Sequence, residues 1–505
     1  MKIVLRVDRA SLRRWHVTLA ERQAKRDGVA VGFELADGAP ARRLGMDAVF
    51  QIETVRFGLG SGVSARVAPE ALGGFADGRD GDLMVDLAAA PPAAVSPGFR
   101  VECDGAGLEP GLLEAILAGR SPQVQVIGPE GALATARPGA ERMGLVKGTF
   151  EDMLARVMTL VEAALDGAAG AVPPPLPGEA PARAAREIAT SKWIKRAAAT
   201  VKRSAVRAAY SALCHAPHWR TGWRRMGADF AQGGGWTDLA DDGRRFYADP
   251  FPVVWRGRTF LFVEEFEHAL GKGVISAVEF GAQGPLGAPQ PVLERPAHLS
   301  YPNVFERDGE MWMIPESGSA GTVDLYRALD FPFRWTLERT LVSGVCANDA
   351  TLVEHDGRWW MFATVQDGGG AFSDSLWLWS APDFRGPWTA HKRNPVLVDI
   401  ATARPAGRMF NQDGALYRPV QDCRAGYGAA LGFARVGRLD DDGFAQTLET
   451  LVKPGGADWP GRRLHSYNAA GGFEFIDGSA LAPRWPALRR PLQRAQRRAV
   501  APAPA

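Results

Sequence analysis

Asp249 and Asp349 are the residues of this sequence best suited by type and position to do chemistry. Each opens an apolar, strand-like run, in Asp249-Pro250-Phe251-Pro252-Val253-Val254 and in Asn348-Asp349-Ala350-Thr351-Leu352-Val353. Two carboxylates held across a channel are the equipment of glycosidic chemistry, one as base or nucleophile and the other as acid or tuning charge. An aspartate at a strand start also caps turns, so position alone leaves both uses open. Pro250 biases Asp249 toward an extended backbone. More acids fall at matching places. Glu264 and Glu265 end one apolar run, Glu316 ends the corresponding run of the next, and Asp413 opens a later one. The candidate catalytic set is therefore Asp249, Asp349, Glu316, Glu265 and Asp413. His298, Asn303, Arg404, Arg408, Gln412, Arg418, Asp422, His465 and Asn468 lie near the same repeat starts and form the candidate substrate-binding set, able to hold polyols, carboxylates or phosphates.

These residues are spread over more than two hundred positions, so a repeating frame must bring them together. From 240 onward a strand, a tight turn and an aromatic-rich strand recur. Arg256-Gly257, Asp308-Gly309 and Asp356-Gly357 mark the turns, the last two being Asp-Gly hairpin signals. The repeats start about 50 residues apart, the length of one four-stranded propeller blade. Weaker copies begin near Phe410 and near His465, which makes five units. Closing them into a ring removes exposed sheet edges, and the first strand of every blade then lines a central channel where the polar residues converge.

The rest of the chain reads differently. Residues 1–163 mix short strands (2–7, 28–33) with helical stretches (11–25 with Ser11 as N-cap, 151–165) and are expected to form a small α/β domain. They carry neither GxGxxG nor a Walker loop. Residues 164–184 are a Pro/Ala-rich linker. Residues 185–235 read as a basic helical segment, and its 185–213 part suits either a packed helix or one lying on an anionic membrane. The propeller takes 240–480, and 481–505 is a Pro/Arg/Ala-rich tail. The fold class is thus multidomain: a small α/β N-terminal domain, a basic helical linker and a C-terminal five-bladed β-propeller.

Composition narrows the function. Charges nearly balance, 59 Lys+Arg against 57 Asp+Glu in 505 residues, so no nucleic-acid partner is expected. The 15 tryptophans suit sugar faces or sheet cores equally. The four cysteines, Cys103, Cys214, Cys346 and Cys423, form no CxxC pair. No cofactor and no metal are expected. The N-terminus reads as a strand rather than a leader, and no uncharged apolar run reaches the ~18 residues of a spanning helix. A cytoplasmic location is expected, peripheral to the inner membrane if the basic helix touches lipid.

The stretch 246–478 resembles a known domain. Phe262-Val263-Glu264-Glu265, His298-Leu299-Ser300-Tyr301-Pro302, Ile314-Pro315-Glu316-Ser317, Trp359-Trp360-Met361-Phe362, Arg404-Pro405-Ala406-Gly407, Arg418-Pro419-Val420-Gln421-Asp422-Cys423, Tyr427-Gly428 and His465-Ser466-Tyr467-Asn468 are similar to the N-terminal domain of plant glucosamine inositolphosphorylceramide transferases and of bacterial formyltransferase-like proteins. More distantly the pattern resembles the five-bladed arabinanase, xylosidase and invertase hydrolases. That second resemblance implies Asp249 as base and Asp349 as tuning acid. It also implies a blade-four glutamate as general acid, where this chain offers only Asp413 or Asp422. Formyltransferase chemistry implies an Asn, a His and an Asp. No Asn precedes Asn303 and His16 is the sole His before His215, so that activity is not expected. Two functions stay open: a glycoside hydrolase or transglycosylase acting on a bacterial glycan or glycoconjugate, and a non-catalytic sugar-binding or scaffold module in surface polysaccharide or glycolipid biosynthesis.

Overall fold

The computed structural model describes residues 1–37, 44–60, 62–78, 80–89, 98–141, 144–176, 188–215, 217–227, 234–455, 462–479 and 482–485. They fall into two compact units. The first holds residues 1–206 with the short segments 368–374 and 395–400; the second holds 207–367, 375–394 and 401–505.

The first unit is the expected α/β domain. Its eight-stranded sheet runs Ala76–Asp77, Ala30–Ala36, Lys2–Asp8, Leu83–Asp86 and Gly98–Cys103 in parallel, then Val124–Gly128 and Gly131–Ala136 antiparallel, with Ala106–Gly107 paired to Gly98–Cys103. Ile3, Leu5 and Val7 alternate into one core with Trp15, Leu19, Leu112, Phe150, Met153, Leu154, Val157 and Val161. That alternation is the period of two of a strand meeting the 3.6-residue period of its helices. Ser11 is not an N-cap. It ends a short 3-10 turn, Arg9–Ser11, and the helix starts at Arg14, where the His16 ring accepts the Arg13 N–H at 3.0 Å. The buried pairs Arg156–Asp374 (2.7 Å) and Arg137–Asp399 (2.8 Å) hold the two short segments inside this unit.

Part of the linker, 177–187, lies outside the described residues, as does most of the tail. The basic segment contains a helix over Thr190–Leu213 that has no acidic residue. Trp193, Thr200 and Ser204 are its buried side.

The second unit is a five-bladed propeller. Blade I is Arg245–Trp255, Arg258–Glu267 and Lys272–Gly281 with two short outer strands. Blade II is Ser300–Arg307, Glu310–Glu316, Thr322–Asp330 and Arg334–Ser343. Blade III begins with Ala347–His355, Arg358–Val365 and Ser375–Ala381. Blade IV is Phe410–Gln412, Ala415–Asp422, Ala430–Asp440 and Gly443–Val452. Blade V departs from a simple sequential repeat. Its inner strands, Tyr467–Ala470 and Phe473–Ser479, come from the C-terminal side, and its outer ones, Trp219–Arg225 and Thr237–Asp238, precede blade I. The propeller thus begins near 219, inside the stretch expected to be helical, and the ring closes by pairing its two chain ends. The first hairpin of each blade turns on two residues with positive φ, Arg256-Gly257, Asp308-Gly309, Asp356-Gly357, Asp413-Gly414 and Gly471-Gly472, as two-residue turns of the I′ type require.

Candidate functional site

The inner strands of blades I, II and III each carry the same irregularity. Their register slips between Ala248 and Phe251, Ser300 and Asn303, and Asn348 and Thr351. At each slip one non-glycine residue takes a left-handed backbone, Asp249 (φ 49°), Tyr301 (φ 43°) and Asp349 (φ 56°). Pro250 therefore does not hold Asp249 extended; the bulge overrides the proline's bias. A left-handed aspartate or tyrosine costs about 1–2 kcal/mol, and bulges re-aim side chains. Here they bring the carboxyls of Asp249 and Asp349 into one acidic cluster, while the Tyr301 ring packs against Phe251 and its hydroxyl accepts the Gly407 N–H.

The neighbouring second strands end at the same level. Ala248 pairs with Glu264, Ser300 with Glu316 and Asn348 with Thr364. In blade IV the Gln421 N–H donates to the Arg404 carbonyl. In blade V Asp477 follows the Tyr467–Ile476 pair and accepts the Ser466 N–H at 2.9 Å. Glu264, Glu316, Thr364, Gln421 and Asp477 thus form a ring. Acids of this level tie one blade to the next through the strained amides: Asp249 N–H donates to Asp477 Oδ2 (2.8 Å), Tyr301 N–H to Asp249 Oδ2 (3.1 Å) and Asp349 N–H to Glu316 Oε2 (2.9 Å).

Two buried cations balance these acids. His465 lies between Asp249 and Asp477, with Nε2 3.2 Å from Asp249 Oδ1. Its Nδ1 approaches Asp477 Oδ1 to 2.7 Å as a charge contact rather than an aligned hydrogen bond. Burial works against a charged imidazole, but the two carboxylates outweigh it and push its pKa up to about 10. Arg404 donates from Nε to Asp349 Oδ2 at 2.6 Å, comes within 3.9 Å of Glu316 and lies over the Tyr427 ring, 4.7 Å from its centroid. Gln421 adds a second donor to Asp349 Oδ2 at 2.9 Å. Two acids remain costly to ionise. Burial and then Asp349 push Glu316 up to about 8, against the pull of Arg404. Burial and then Asp249 push Glu264 well above the carboxylate range. Trp219 and Tyr427 pack on His465, with ring centroids 4.2 and 5.0 Å away. Phe246 stacks on Phe266 at 5.0 Å.

Of the sequence candidates, the structure brings Asp249, Asp349, Glu316, Arg404 and His465 into this cluster, with His298 beside Glu264 at 3.4 Å. It places the others elsewhere. Glu265 lies on the opposite side of its strand, paired with Arg245 and accepting the Ser276 hydroxyl at 2.7 Å. Asp413 is an exposed hairpin-turn residue and Gln412 is exposed beside it. Asp422 pairs with Arg424 at 2.8 Å. Arg418 donates to the Thr402 and Ala403 carbonyls. Arg408 donates to the carbonyls of Pro252 (3.2 Å) and Val304 (2.6 Å), Asn468 to that of Pro250 (2.9 Å) and Asn303 to that of Ala350 (3.4 Å). These last residues tie blades together. Glu264 was visible as the neighbour of Glu265, and strand alternation decides which of the two faces inward. Asp477, Gln421, Tyr427 and Trp219 were not among the site candidates, although Gln421 and Tyr427 stand in the segments that carry the resemblance. Asp477 occupies the Glu264 and Glu316 position of the fifth repeat, a signal present in the sequence.

Asp249, His465 and Asp477 also have the side-chain types of a metal centre, with ligand atoms within 4.8 Å of one another. An imidazole must be neutral to ligate, so a metal ion there would compete with the proton that the two carboxylates favour on His465.

Residues 237–471 match the family model described as glucosamine inositolphosphorylceramide transferase 1, N-terminal. The transferase of that name from Oryza sativa subsp. japonica is 34% identical over 262 residues, 49% of this chain and 35% of the relative. The one from Arabidopsis thaliana is 34% identical over 232 residues, 44% of this chain and 30% of the relative. The chain spans about a third of the length of these relatives. Among solved structures, the β-xylosidase/α-arabinofuranosidase CoXyl43 from a compost microbial metagenome is 15% identical, with a TM-score of 0.36, over 50% of this chain and 87% of its own. Zg3597, a family 117 glycoside hydrolase of Zobellia galactanivorans, is 14% identical, with a TM-score of 0.35, over 52% and 91%.

Proposed function

We propose, from a propeller homologous to the N-terminal domain of glucosamine inositolphosphorylceramide transferase 1, that this chain is a carbohydrate-active protein working on the glycosidic bond of a glycan or glycoconjugate. The observation that carries the reading is the convergence of Asp249 and Asp349, both in a strained backbone conformation, with Glu264 and Glu316 at one end of the propeller axis. Strain repeated at one level of three blades is a feature of functional sites. Carboxyls side by side, two of them resisting ionisation, are what acid–base cleavage of a glycosidic bond needs. In this reading Asp249 accepts the proton of the attacking hydroxyl or water, and Asp349 sets the charge beside Glu316. The relatives are named for a glucosamine and a phosphoinositol lipid. A lipid-linked glycoconjugate is accordingly the substrate class we favour, handled at the cytoplasmic face of a membrane with the basic helix Thr190–Leu213 against anionic lipid.

A second reading has its own observation. Asp249 and Asp349 each sit against a buried cation, and Asp249 also receives a neighbouring blade's amide, which suits a rigid sugar-binding or scaffold module. Purified protein and its Asp249→Asn and Asp349→Asn variants, checked for fold by circular dichroism, separate the two on a panel of aryl glycosides and lipid-linked amino sugars. The catalytic reading expects turnover in the parent and a loss of several powers of ten in Asp249→Asn. Sugar binding with no turnover in the parent establishes the module instead. Unchanged turnover in a folded Asp249→Asn ends the assignment of Asp249.

A further inference from the structure

Two acids of the ring, Asp477 and Glu316, are tied to backbone amides, and Glu264 is the acid that is not. Asp477 gives both oxygens to backbone amides, those of Ser466 and Asp249. Glu316 accepts the amide of Asp349, the bulged residue of the blade that follows it. Gln421 donates to Asp349 and to the Pro405 carbonyl. By the same pattern Glu264 would accept the amide of Tyr301, but that amide donates to Asp249 instead. Among the described residues no backbone amide is tied to the Glu264 carboxyl. It is left as the mouth's uncommitted acid, buried within the field of Asp249, Glu316 and Asp477.

His298 lies beside it, with Nε2 3.4 Å from Glu264 Oε1. The other ring nitrogen, Nδ1, accepts the Gly273 N–H at 2.9 Å. That bond fixes the tautomer: the neutral ring carries its hydrogen on Nε2, the nitrogen that lies against Oε1 as a contact rather than an aligned hydrogen bond. Burial lowers the His298 pKa and favours this neutral form. Gly273 makes the approach possible, since a Cβ there would stand 2.7 Å from His298 Cε1 and 2.9 Å from Glu264 Oε1.

We propose that Glu264 is the proton-donating catalytic residue of this site and that His298 is the positioning residue that orients it. In this assignment the acidic hydrogen is carried on Oε2, the oxygen turned away from the His298 contact. In hydrolysis that O–H bond breaks and its proton passes to the glycosidic oxygen. The bond from the anomeric carbon to that oxygen breaks, and its electron pair stays with the leaving alcohol. Water bonds to the anomeric carbon and gives its proton to Asp249, from which solvent returns a proton to Glu264. In transfer, an acceptor hydroxyl takes the place of water. The assignment rests on the glycosidic reading above; the adjacent Glu265 is paired with Arg245 on the other side of the strand.

The test uses full-length protein and paired aryl glycosides of one sugar, 4-nitrophenyl and 2,4-dinitrophenyl, chosen from the panel that the parent turns over. A general acid matters for a poor leaving group and little for a good one. Glu264→Gln, folded by circular dichroism, is expected to lose ~10²–10⁴-fold in kcat on the 4-nitrophenyl substrate and less than about tenfold on the dinitrophenyl one. Equal losses on both, or none, overturn the assignment while leaving the glycosidic reading intact; a parent inactive on every glycoside defeats that reading and this inference with it. His298→Asn is expected to lower kcat with KM kept and to move the basic limb of the kcat profile to higher pH, because an acid that loses the N–H dipole lying against it holds its proton more tightly. An unmoved limb shows a packing role only and overturns the positioning assignment. Carbon-13 spectra of glutamate-labelled protein supply a readout independent of turnover. Among the carboxyl signals titrating above the ordinary range, one should vanish in Glu264→Gln while that of Glu316 remains; an unchanged set of raised signals there rejects the proposal.

Discussion

His465 and Glu316 set the pH response of the propeller, and their directions agree. The folded pKa of His465 is raised to about 10 from 6.5 by Asp477 and Asp249 acting against burial. Its contribution to stability is therefore complete below 6.5 and is lost as pH rises through 10. Glu316 is raised to about 8 from 4.5. The folded protein again binds the proton more tightly, so stability falls as pH climbs from 4.5 to 8. Glu264, raised for the same reason, adds to the slope. Denaturant unfolding should show stability falling between roughly pH 5 and pH 10. In Glu316→Gln the lower half of that fall should flatten and the upper half remain. A parent curve flat across the window would contradict the protonated carboxyls and the charged imidazole together.

At the scale of elements, the bulge and the blade closure do the positioning, and each makes a forecast. Gly407 lies where the chain enters blade IV. Its φ is 142°, its N–H donates to the Tyr301 hydroxyl at 2.7 Å, and a Cβ there would come within 2.0 Å of the Tyr467 carbonyl. Backbone on both sides leaves no room to yield, so Gly407→Ala should cost about 2 kcal/mol or more, read as a lowered Tm with little change at a surface glycine such as Gly287, whose added Cβ meets nothing. The closure forecast concerns Trp219–Arg225 and Thr237–Asp238, the outer strands of blade V. A chain started at 240 leaves Phe473–Ser479 an unpaired edge and removes Trp219 from His465. It should aggregate or lose its cooperative unfolding, whereas one started at 207 should keep both. Equal behaviour of the two would show the outer pair to be dispensable.

For the whole molecule, the open question is where it works. No helix among the described residues is long and apolar enough to cross a membrane. The helix Thr190–Leu213 exposes Ile194, Val201 and Val206 together with Lys192, Lys195, Lys202, Arg203 and Arg207, and carries no acid. Trp193, Thr200 and Ser204 take the buried side, so the helix has both a packed face and an outward basic one. Anionic lipid attracts such a segment by about 1 kcal/mol per basic residue near the surface. Sedimentation with phosphatidylserine-containing vesicles should carry the protein down at low salt. Reversing Lys192, Lys195, Lys202 and Arg207 to Glu should release it, with the fold kept. Equal sedimentation of parent and variant would leave the helix a packing element alone.

Sequence by itself determined the repeating unit and much of the site. Hairpin dipeptides, aromatic second strands and the copies of Asp249 and Asp349 are local signals, and they named the propeller, its five repeats and most of the acids at its mouth. What only the tertiary structure decided depends on contacts between distant segments. Closure of blade V by strands that precede blade I has no local mark, because pairing energy depends on where the chain ends meet. Glu264 faces inward and Glu265 outward through strand register, in which a slip of one residue exchanges the two faces. The left-handed Asp249, against the bias of its proline, is held by an amide bond to Asp477 across the ring. The charge state of the site arises the same way: His465 is cationic and Glu264 and Glu316 resist ionisation only because the fold removes water and sets carboxylates within a few ångströms of one another.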